Sequence, residues 1–264
     1  MNYNRVAFNR TRLLLGDSVM DCLDKVRVIV FGVGGVGSWC VEGLVRSGVK
    51  HITIVDCDRV SESNINRQLM ATVETVGQVK VEAMKNHLLT ISPDADIDAL
   101  ESIFNEYTAD NFHLDEFDYI IDCIDSLKDK ALLIELATRT KAKFYSSMGA
   151  ALKLDPTKIE VAEFWKVKGC PLARALRNKF KKSKIFPSHK FLCVYSEELL
   201  ENKGKEESSQ EKHNENIIGT DINNPKESFY KAQINGSLMH ITAMFGLTLS
   251  GLVIKDIDSK YSNS

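Results

Sequence analysis

The stretch VIVFGVGGVGSWCVEGL, residues 28–44, decides the fold. An apolar run leads into Gly32, Gly34 and Gly37, which have the spacing G-x-G-x-x-G, and a helical pattern follows. The first glycine allows a tight turn after a strand, the second lets backbone amides approach a phosphate, and the third lets the helix pack closely on the sheet. The amino-terminal end of such a helix favours an anion. The stretch therefore predicts a strand, a nucleotide-binding turn and a helix in succession.

Strands and helices alternate on both sides of this turn. The predicted strands are KVRVIVF (25–31), HITIVD (51–56), FDYIIDCI (117–124) and AKFYSSMGA (142–150). The predicted helices are 38–46, 77–90 and 127–140. This alternation is typical of βαβ units and of a mostly parallel sheet with helices on both faces. We therefore predict an α/β, Rossmann-like nucleotide-binding region at 24–150, preceded by a helical lead-in at 1–23.

The pattern changes after residue 150. Two further strands, at 158–167 and 190–196, have no regular crossover helix between them. We expect the C-terminal part, residues 151–257, to belong to the same domain and to extend the sheet in a mixed or antiparallel arrangement. Residues 199–228 are polar and almost free of aromatic residues, so they predict a mobile loop.

The composition limits the cellular setting. The net charge is −2, so no global field attracts nucleic acid or a membrane. Six cysteines occur without any C-x-x-C pair, which excludes a paired-cysteine zinc site. With no apolar signal segment at the start, this favours a reducing, cytoplasmic setting. Residues 237–254 lack charge and are borderline for a membrane span, but His240 and the hydroxyl groups favour a buried core or dimer-interface helix.

Charged residues after the glycine turn indicate which nucleotide binds. Asp56 ends the second strand, 19 residues after Gly37, where an acid accepts from a ribose hydroxyl. Arg67 and Lys80 are candidate cations for the oxygens of a triphosphate. Asp125 follows the carboxyl end of a strand and could hold Mg²⁺. Each residue alone is also explained as a surface charge, but the set favours ATP over a redox dinucleotide.

The motifs GVGGVGS, VDCDRV, SNINRQ, VGQVK and DCIDS resemble those of the ubiquitin-activating-enzyme-like (ThiF/MoeB/HesA) superfamily of adenylating proteins, over about residues 5–150. The resemblance implies that ATP is bound by Gly32, Gly34, Gly35, Gly37, Asp56, Asn64, Gln68 and Lys80. It implies catalytic roles for Asp58, Arg67, Lys80, Asp125 and Arg12. Among these, Asp125 is also the implied metal-site acid and Asp58 lies near the reacting centre.

The superfamily also implies a homodimer. An arginine of the N-terminal lead-in reaches the phosphates, often from the dimer partner; Arg12 matches best and Arg10 is the alternative. The shared reaction is carboxylate activation, in which a carboxylate oxygen attacks the α-phosphorus of ATP and pyrophosphate leaves. A protein general base is not required, because a carboxylate is already ionised at neutral pH.

A basic segment distinguishes the second half of the chain. Residues 164–196 contain no Asp or Glu but nine Lys or Arg. If PLARALRNKFKK is helical, one face carries Leu172, Leu176 and Phe180, and the opposite face carries basic side chains. The candidate nucleic-acid contacts are Arg174, Arg177, Lys181 and Lys182. Such a stripe suits a phosphate backbone, and a solvated helix face remains the alternative.

This second half resembles the tRNA threonylcarbamoyladenosine dehydratase branch in the segments DPTKIEVAEFWKVKGCPLARALRNKFKK, FLCVYSEE and NGSLMHITAMFGL. The branch implies an enzyme that uses ATP and Mg²⁺ to adenylate the threonylcarbamoyl carboxylate of a modified adenosine in ANN-decoding tRNAs. An internal nitrogen then closes a ring, so that AMP and pyrophosphate are released and the net change is dehydration. A sulfur-transfer protein partner is left open. Cys170 departs from the branch, where an acid is expected.

Three other functions remain open at this point. Activation of a ubiquitin-like or sulfur-carrier protein would use Cys170 as a transfer cysteine, but that branch typically has two zinc-binding C-x-x-C pairs. An NAD-dependent oxidoreductase would leave Arg67 and Lys80 without a role. A nucleotide-sensing scaffold that passes sulfur between partners would not need the activity motifs.

Overall fold

The computed structural model describes residues 6–204 and 234–261, and its strands form one seven-stranded sheet. The strands are β1 (Arg27–Phe31), β2 (His51–Val55), β3 (Asp96–Leu100), β4 (Tyr119–Asp122), β5 (Lys143–Ser147), β6 (Ile159–Glu163) and β7 (Leu192–Ser196). The α-helices are α1 (Asn9–Leu23), α2 (Gly37–Ser47), α3 (Lys80–Ile91), α4 (Leu127–Ala137), α5 (Pro171–Ser183) and α6 (Met239–Tyr261). Most of the expected loop at 199–228 lies outside the described residues.

The strand order is β3-β2-β1-β4-β5-β7-β6. All neighbouring pairs are parallel except β6 and β7, which are antiparallel. The predicted mostly parallel sheet with a mixed C-terminal extension is therefore confirmed. The sequence did not reveal β3, because only Ile97 of this polar edge strand is buried.

Strand β1 explains why the sheet is covered on both faces. Its residues Val28 and Val30 join one hydrophobic cluster, and Ile29 and Phe31 join the other. The first cluster lies under α1, α2, α3 and α6, and the second lies under α4 and α5. Successive side chains of a strand point to opposite faces, so a continuous apolar run needs cover on both sides.

The N-terminal helix differs in part from the expectation. Helix α1 is interrupted at Gly16, whose φ of 78° lies in the left-handed region that favours glycine. Before the interruption, Leu13 and Leu14 are 77% and 83% exposed, whereas Leu15 packs against the core. After it, the helix is packed through Val19 and Leu23 among others.

Helix α6 fits the core interpretation of its uncharged sequence. Among the described helices, it alone is long and apolar enough to cross a membrane by length and composition. Its residues Ile241, Phe245, Leu249 and Val253 are nonetheless fully buried in the cluster that also contains α2. Half of the apolar stretch of α6 is buried, as in a core helix, and core helices often have the length and hydropathy of a membrane span.

The crossing of α6 over α2 requires small residues on both helices. A Cβ atom on Gly246 would lie 2.3 Å from the carbonyl oxygen of Val36, and one on Gly43 would lie 2.3 Å from the hydroxyl oxygen of Ser250. Backbones that approach this closely leave no room for a methyl group. Because Val36 belongs to the glycine turn, α6 supports the nucleotide-binding turn from behind.

Gly246→Ala should therefore destabilise the fold, whereas Gly251→Ala, on the same helix, should not. A Cβ on Gly251 meets nothing within 4 Å. We expect the first change to lower the free energy of unfolding by about 1–3 kcal/mol through overpacking. The second should raise it by up to about 1 kcal/mol through helix propensity. Urea denaturation of both variants measures the difference, and equal values would contradict the close crossing.

Candidate active site

A cavity of about 560 Å³ opens at the carboxyl ends of the parallel strands. It lies next to β1 and β4, where the strand order reverses, the usual ligand position in open α/β sheets. Nine of the residues predicted for ATP binding or catalysis line it: Gly32, Gly34, Gly35, Asp56, Asp58, Arg67, Gln68, Lys80 and Asp125. Gly37, Asn64 and Arg12 are not among its lining residues.

The three motif glycines have different structural roles. Gly32 has a φ of 86°, and a Cβ there would lie 2.8 Å from the carbonyl oxygen of Cys123. Gly37 does not line the cavity. It packs against the backbone instead, since a Cβ on it would lie 1.8 Å from the carbonyl oxygen of Gly32. Gly34 faces open space, with its nearest neighbour, the Gln68 amide nitrogen, 3.8 Å from the Cβ position. Gly32 and Gly37 thus have the turn and packing roles that the spacing predicts, and Gly34 leaves room for the predicted approach of a phosphate.

The glycine turn offers free hydrogen-bond donors to a ligand. Within the described part of the chain, the backbone amides of Gly35 and Val36 have no protein acceptor. Val36 caps α2 without any side-chain hydrogen bond. Uncapped amides at a helix start carry partial positive charge and bind phosphate oxygens.

Asp56 fixes the end of β2 against this turn. Its Oδ2 accepts the amide of Val33 at 2.7 Å, and its Oδ1 accepts the amide of Asp58 at 2.9 Å. Burial raises the pKa of Asp56, and the positive charge of Lys80 opposes this effect. The carboxylate thus lies at the cavity wall, where a ribose hydroxyl would donate to it.

Two cations also line the cavity. Lys80, at the first position of α3, is 6% exposed, and its Nζ lies 2.7 Å from Oδ2 of Asp58. The guanidinium of Arg67 donates to the carbonyl oxygen of Ser63 at 2.9 Å and to the side-chain oxygen of Asn66 at 2.8 Å. Arg67 therefore makes no ion pair within the described residues, and its charge is available to an anion.

The sequence predicted that Gln68 and Asn64 both bind ATP, but only Gln68 lines the cavity. Gln68 is 6% exposed, and its buried Oε1 has no hydrogen-bond partner within residues 6–204 and 234–261. Asn64 does not reach the cavity; its Oδ1 accepts the amide of Ser61 at 3.1 Å and closes the preceding turn. A buried polar atom without a partner costs free energy, so Gln68 is the residue of the two that a ligand would satisfy.

Two carboxylates lie together after β4. Asp125 is exposed at the cavity, and Asp129, in the first turn of α4, lines the same wall. The hydroxyl of Ser126 donates to Asp129 at 2.8 Å. No cluster of three metal-ligating side chains occurs in the described residues. Mg²⁺ commonly uses one or two carboxylates together with phosphate oxygens, so this wall fits it. The sequence analysis missed Asp129, although an acid three residues after a helix-capping serine is a recognisable signal.

A buried ion pair supports this wall from below. Asp122 and Lys130 are both fully buried, with Nζ and Oδ2 2.8 Å apart. Lys130 also donates to the carbonyl oxygen of Ile124 at 2.9 Å, and Asp122 accepts the amide of Ile124 at 3.0 Å and the hydroxyl of Ser146 at 2.6 Å. Burial raises the pKa of Asp122, and Lys130 opposes the shift. Sequence alone does not separate such a pair from surface charges.

Further lining residues come from segments without a sequence motif. Residues 147–151 follow β5, and residues 102–104 follow β3, so both are expected at this edge of a parallel sheet once the strands are known. Asn235, Ser237 and Thr242 also line the cavity; they come from the start of α6 and the residues before it.

Other predicted residues lie away from the cavity. Arg12 pairs with Asp17 within α1, and its buried Nε has no partner in the described chain. Cys170 is 3% exposed and caps α5. Arg174, Lys181 and Lys182 are exposed on α5.

Arg177 does not face solvent as expected. Its Nη1 donates to the carbonyl oxygens of Phe164 at 3.1 Å and Val167 at 2.9 Å, and the guanidinium lies over the Phe164 ring. The prediction that Arg177 faces solvent is wrong, because the buried face of α5 differs from the expected face by part of a helical turn. Ala173, Leu176 and Phe180 form its buried face, and Leu172 lines the cavity instead.

Comparison with known proteins agrees with this geometry. The sequence model of the ThiF family matches residues 8–263. The tRNA threonylcarbamoyladenosine dehydratase of Bacillus subtilis is 40% identical over 178 residues, which are 67% of this chain and 70% of that protein. The tRNA threonylcarbamoyladenosine dehydratase 2 of Saccharomyces cerevisiae is 34% identical over 93% of this chain, which spans 55% of that protein. The crystal structure of the Escherichia coli dehydratase TcdA with ATP has a TM-score of 0.82 at 28% identity, and covers 98% of this chain and 97% of that one.

Removal of the buried ammonium should destabilise the wall that carries Asp125. Lys130→Met leaves the Asp122 carboxylate buried and unpaired, and we expect a loss of about 3–5 kcal/mol in the free energy of unfolding. Lys128→Met, on the same helix, removes only a surface pair with Glu106 in which the lysine side chain is 64% exposed, so its free energy of unfolding should stay close to that of the unaltered chain. Chemical denaturation of both variants tests this.

The same variant predicts a pH dependence. Without Lys130, the pKa of Asp122 in the folded state should rise further above its unfolded value. Stability from a raised pKa is present below the unfolded pKa and is lost as the pH rises through the folded one. The deficit of Lys130→Met should therefore shrink between about pH 7 and pH 4. Adding Asp122→Asn to the Lys130→Met variant should restore its stability at neutral pH. No recovery would contradict the pairing of Asp122 with Lys130.

Proposed function

The chain belongs to the ThiF family, and on that premise we propose that it is an ATP-dependent tRNA threonylcarbamoyladenosine dehydratase. One observation carries the proposal: uncapped amides of the glycine turn, two cations and an acidic wall meet in one cavity where the strand order reverses. Relatives named as such dehydratases, and the ATP complex of one of them, support the same activity.

ATP fits the cavity by its residues. The amides of Gly35 and Val36 would hold its phosphates, and Asp56 would accept from the ribose. The unpaired Oε1 of Gln68 would accept a hydrogen bond from a donor group of the bound ligand. Asp125, with Asp129 beside it, would hold Mg²⁺, which supplies charge neutralisation at the phosphates when bound. Arg67 and Lys80 would stabilise the negative charge that develops on the leaving pyrophosphate.

The adenylation step does not need the carboxylates of the cavity to act as a base. The threonylcarbamoyl carboxylate is already ionised at neutral pH and attacks the α-phosphorus directly. The bond from the α-phosphorus to the bridging oxygen breaks, and pyrophosphate leaves with its electron pair. A nitrogen of the threonylcarbamoyl group then attacks the carbonyl carbon of the acyl-adenylate and gives up its proton to water or to a phosphate oxygen of AMP. The bond from that carbon to AMP breaks and the ring closes, so that one water is lost overall. Asp58, paired with Lys80, would keep that ammonium oriented before ATP enters.

A tRNA partner is supported by the basic helix. Helix α5 begins at the cavity, where Leu172 lines the wall, and exposes Arg174, Lys181 and Lys182 along its length. Cations in this arrangement contact phosphates of a backbone that enters the cavity. We propose ANN-decoding tRNAs with the threonylcarbamoyl modification as the substrates, and a cytoplasmic location for the reaction.

The mass of the modified nucleoside tests the activity. After incubation with ATP, Mg²⁺ and threonylcarbamoylated tRNA, digestion should yield a nucleoside lighter by one water. Arg67→Ala should lower kcat/KM by about 10²–10³-fold, since it removes a cation from the developing charge. Arg59→Ala is the matched control, because that side chain is 62% exposed and does not line the cavity.

An unchanged nucleoside mass, with a known dehydratase active in parallel, would sink the proposal. Pyrophosphate exchange that requires a carrier protein and not tRNA would instead support activation of a protein C-terminus. The buried position of Cys170 argues against that alternative, because a transfer thiol has to be accessible.

We also propose a homodimer in which Arg12 serves the partner's cavity. Arg12 does not line the cavity of its own chain, and its Nε is buried without a partner in the described residues. Leu13 and Leu14 beside it are largely exposed, which is unusual for consecutive leucines in a lone chain. A second copy would cover them and bring the arginine to its neighbour.

Mixing two inactive variants tests this arrangement. Arg12→Ala and Asp125→Asn should each be inactive alone, but a mixed dimer contains one site with both residues intact. We expect recovery of up to about a quarter of wild-type activity after subunit exchange. Lys80→Ala mixed with Asp125→Asn is the control, because both residues line the same cavity and no intact site forms. Recovery in neither mixture would show that Arg12 does not act across the dimer.

A further inference from the structure

Two aromatic side chains, Trp165 and Phe186, form an exposed pair that the proposed reaction does not use. Their ring centroids are 6.1 Å apart, and the residues are 40% and 50% exposed. Ile185 beside them is 44% exposed. Large apolar side chains gathered at a surface commonly mark a binding site. The pair is called the aromatic platform below.

The aromatic platform rests on a rigid base. Trp165 packs edge-on against Phe164 at 5.2 Å, and Phe164 is fully buried and stacks on Phe191 at 5.1 Å. The two carbonyl bonds from Arg177 fix the segment that carries Trp165. Because its supports are buried and hydrogen-bonded, the platform is a preformed surface that would lose little entropy on binding.

The turn after α5 positions the second ring in the same way. Lys184 ends the helix with a φ of 58°, a left-handed conformation that redirects the chain. Two residues beyond Phe186, the amide of Ser188 donates to the hydroxyl of Thr138 at 3.0 Å. The loop that carries Phe186 is therefore tied to the residue that ends α4.

The charge around the platform selects the chemistry of its ligand. Segment 164–196 contains nine Lys or Arg and no Asp or Glu. Lys166 follows Trp165 directly, Lys184 precedes Phe186 by two residues, and both are exposed. A ligand that matches exposed rings among cations needs flat apolar faces and a dense negative charge. Unpaired nucleotides combine these two properties.

The platform and the cavity lie at opposite ends of the strands. Trp165 follows β6 where Glu163 pairs with Leu192, the first residue of β7, whereas the cavity lies at the carboxyl ends of the parallel strands. Helix α5 joins the two places. It begins beside Leu172 at the cavity and runs 13 residues, about 20 Å, towards Phe186.

We propose that Trp165 and Phe186 are a stacking platform for an unpaired base of the tRNA, one α5 length from the reacting nucleotide. The inference rests on the proposed function and adds a second, non-electrostatic contact to it. The RNA backbone would run along the exposed cations of α5, with one nucleotide in the cavity and another base on the rings. Stacking does not distinguish bases strongly, so the platform orients the tRNA rather than reading its sequence.

Two double variants separate stacking from charge. Trp165→Leu with Phe186→Leu removes the flat rings and keeps apolar cover over Phe164. Lys181→Ala with Lys182→Ala removes two exposed charges from α5 and leaves the rings. Kd is measured for threonylcarbamoylated tRNA across a salt series, and for heparin, a polyanion without bases.

The leucine variant should bind tRNA about 10- to 100-fold more weakly, with the same salt dependence and the same heparin affinity. Its KM should rise while kcat stays unchanged, since uniform binding is lost. The lysine variant should instead weaken both ligands and reduce the salt slope by about two. Unchanged ATP affinity in both variants verifies that the fold is intact.

Fluorescence of the unaltered chain gives a second measurement that does not depend on the leucine variant folding. Binding of tRNA should quench the emission of Trp165, and Trp165→Phe should abolish that quenching while it lowers affinity less than about threefold, because phenylalanine still stacks. Trp39, the other tryptophan, remains in both proteins as the reference.

The outcomes distinguish the platform from the activity. If the wild-type chain dehydrates tRNA but the leucine variant binds it equally well, the platform is overturned and the activity stands; the rings are then a docking surface for a protein. Equal loss of tRNA and heparin would also overturn stacking. If the wild-type chain neither binds nor dehydrates modified tRNA, both proposals fail.

Discussion

The close contact between the turn after β1 and the turn after β4 is the constraint on which the site depends. Gly32 packs so tightly on the backbone of Cys123 that no side chain fits, and Gly37 packs equally tightly on Gly32. Gly246 of α6 then presses on the carbonyl of Val36. The start of α2 is therefore held from three sides by backbone, and its free amides keep a fixed direction. Under the proposed function, a phosphate would bind there without any reorganisation of the protein, which is the condition for strong electrostatic stabilisation.

Asp56 and Asp122 accept backbone amides and so fix the cavity walls next to this turn. Asp56 holds the amides at the end of β2, and Asp122 does the same at the end of β4. Burial raises the pKa of both carboxyl groups, and each has a lysine that opposes the effect, Lys80 for Asp56 and Lys130 for Asp122. One lysine lines the cavity and the other is sealed beneath it. Lys80 is thus positioned to contact a ligand, as the proposed function requires, whereas Lys130 stabilises the fold beneath the cavity.

The sequence predicted those parts of the molecule that depend on local pattern. Apolar runs gave the central strands, and the glycine spacing gave the turn, because both follow from backbone geometry alone. It failed where a side chain's role depends on a distant partner. Lys130 and Asp122 look like surface charges until the fold buries them together, and Arg177 looks like a solvent cation until Phe164 presents its carbonyl oxygen. Strand β3 was missed because its polar alternation belongs to an edge with only Ile97 buried.

The order of the strands separates two tasks along the chain. The first five strands and their turns build the nucleotide cavity, and a fold of this kind is compatible with many acyl groups, since function depends on the sites that a fold carries. The antiparallel pair of β6 and β7 extends the sheet at one edge, and the segment between them carries α5 and nine Lys or Arg residues without any Asp or Glu. Because α5 starts at the cavity and ends at the opposite edge, a ligand bound along it has one end at the phosphates and the other about 20 Å away. The distance selects against small carboxylates and in favour of a long polyanion. Under the proposed function, the insertion between two edge strands, rather than the glycine turn, would therefore make a general carboxylate-activating site specific for RNA.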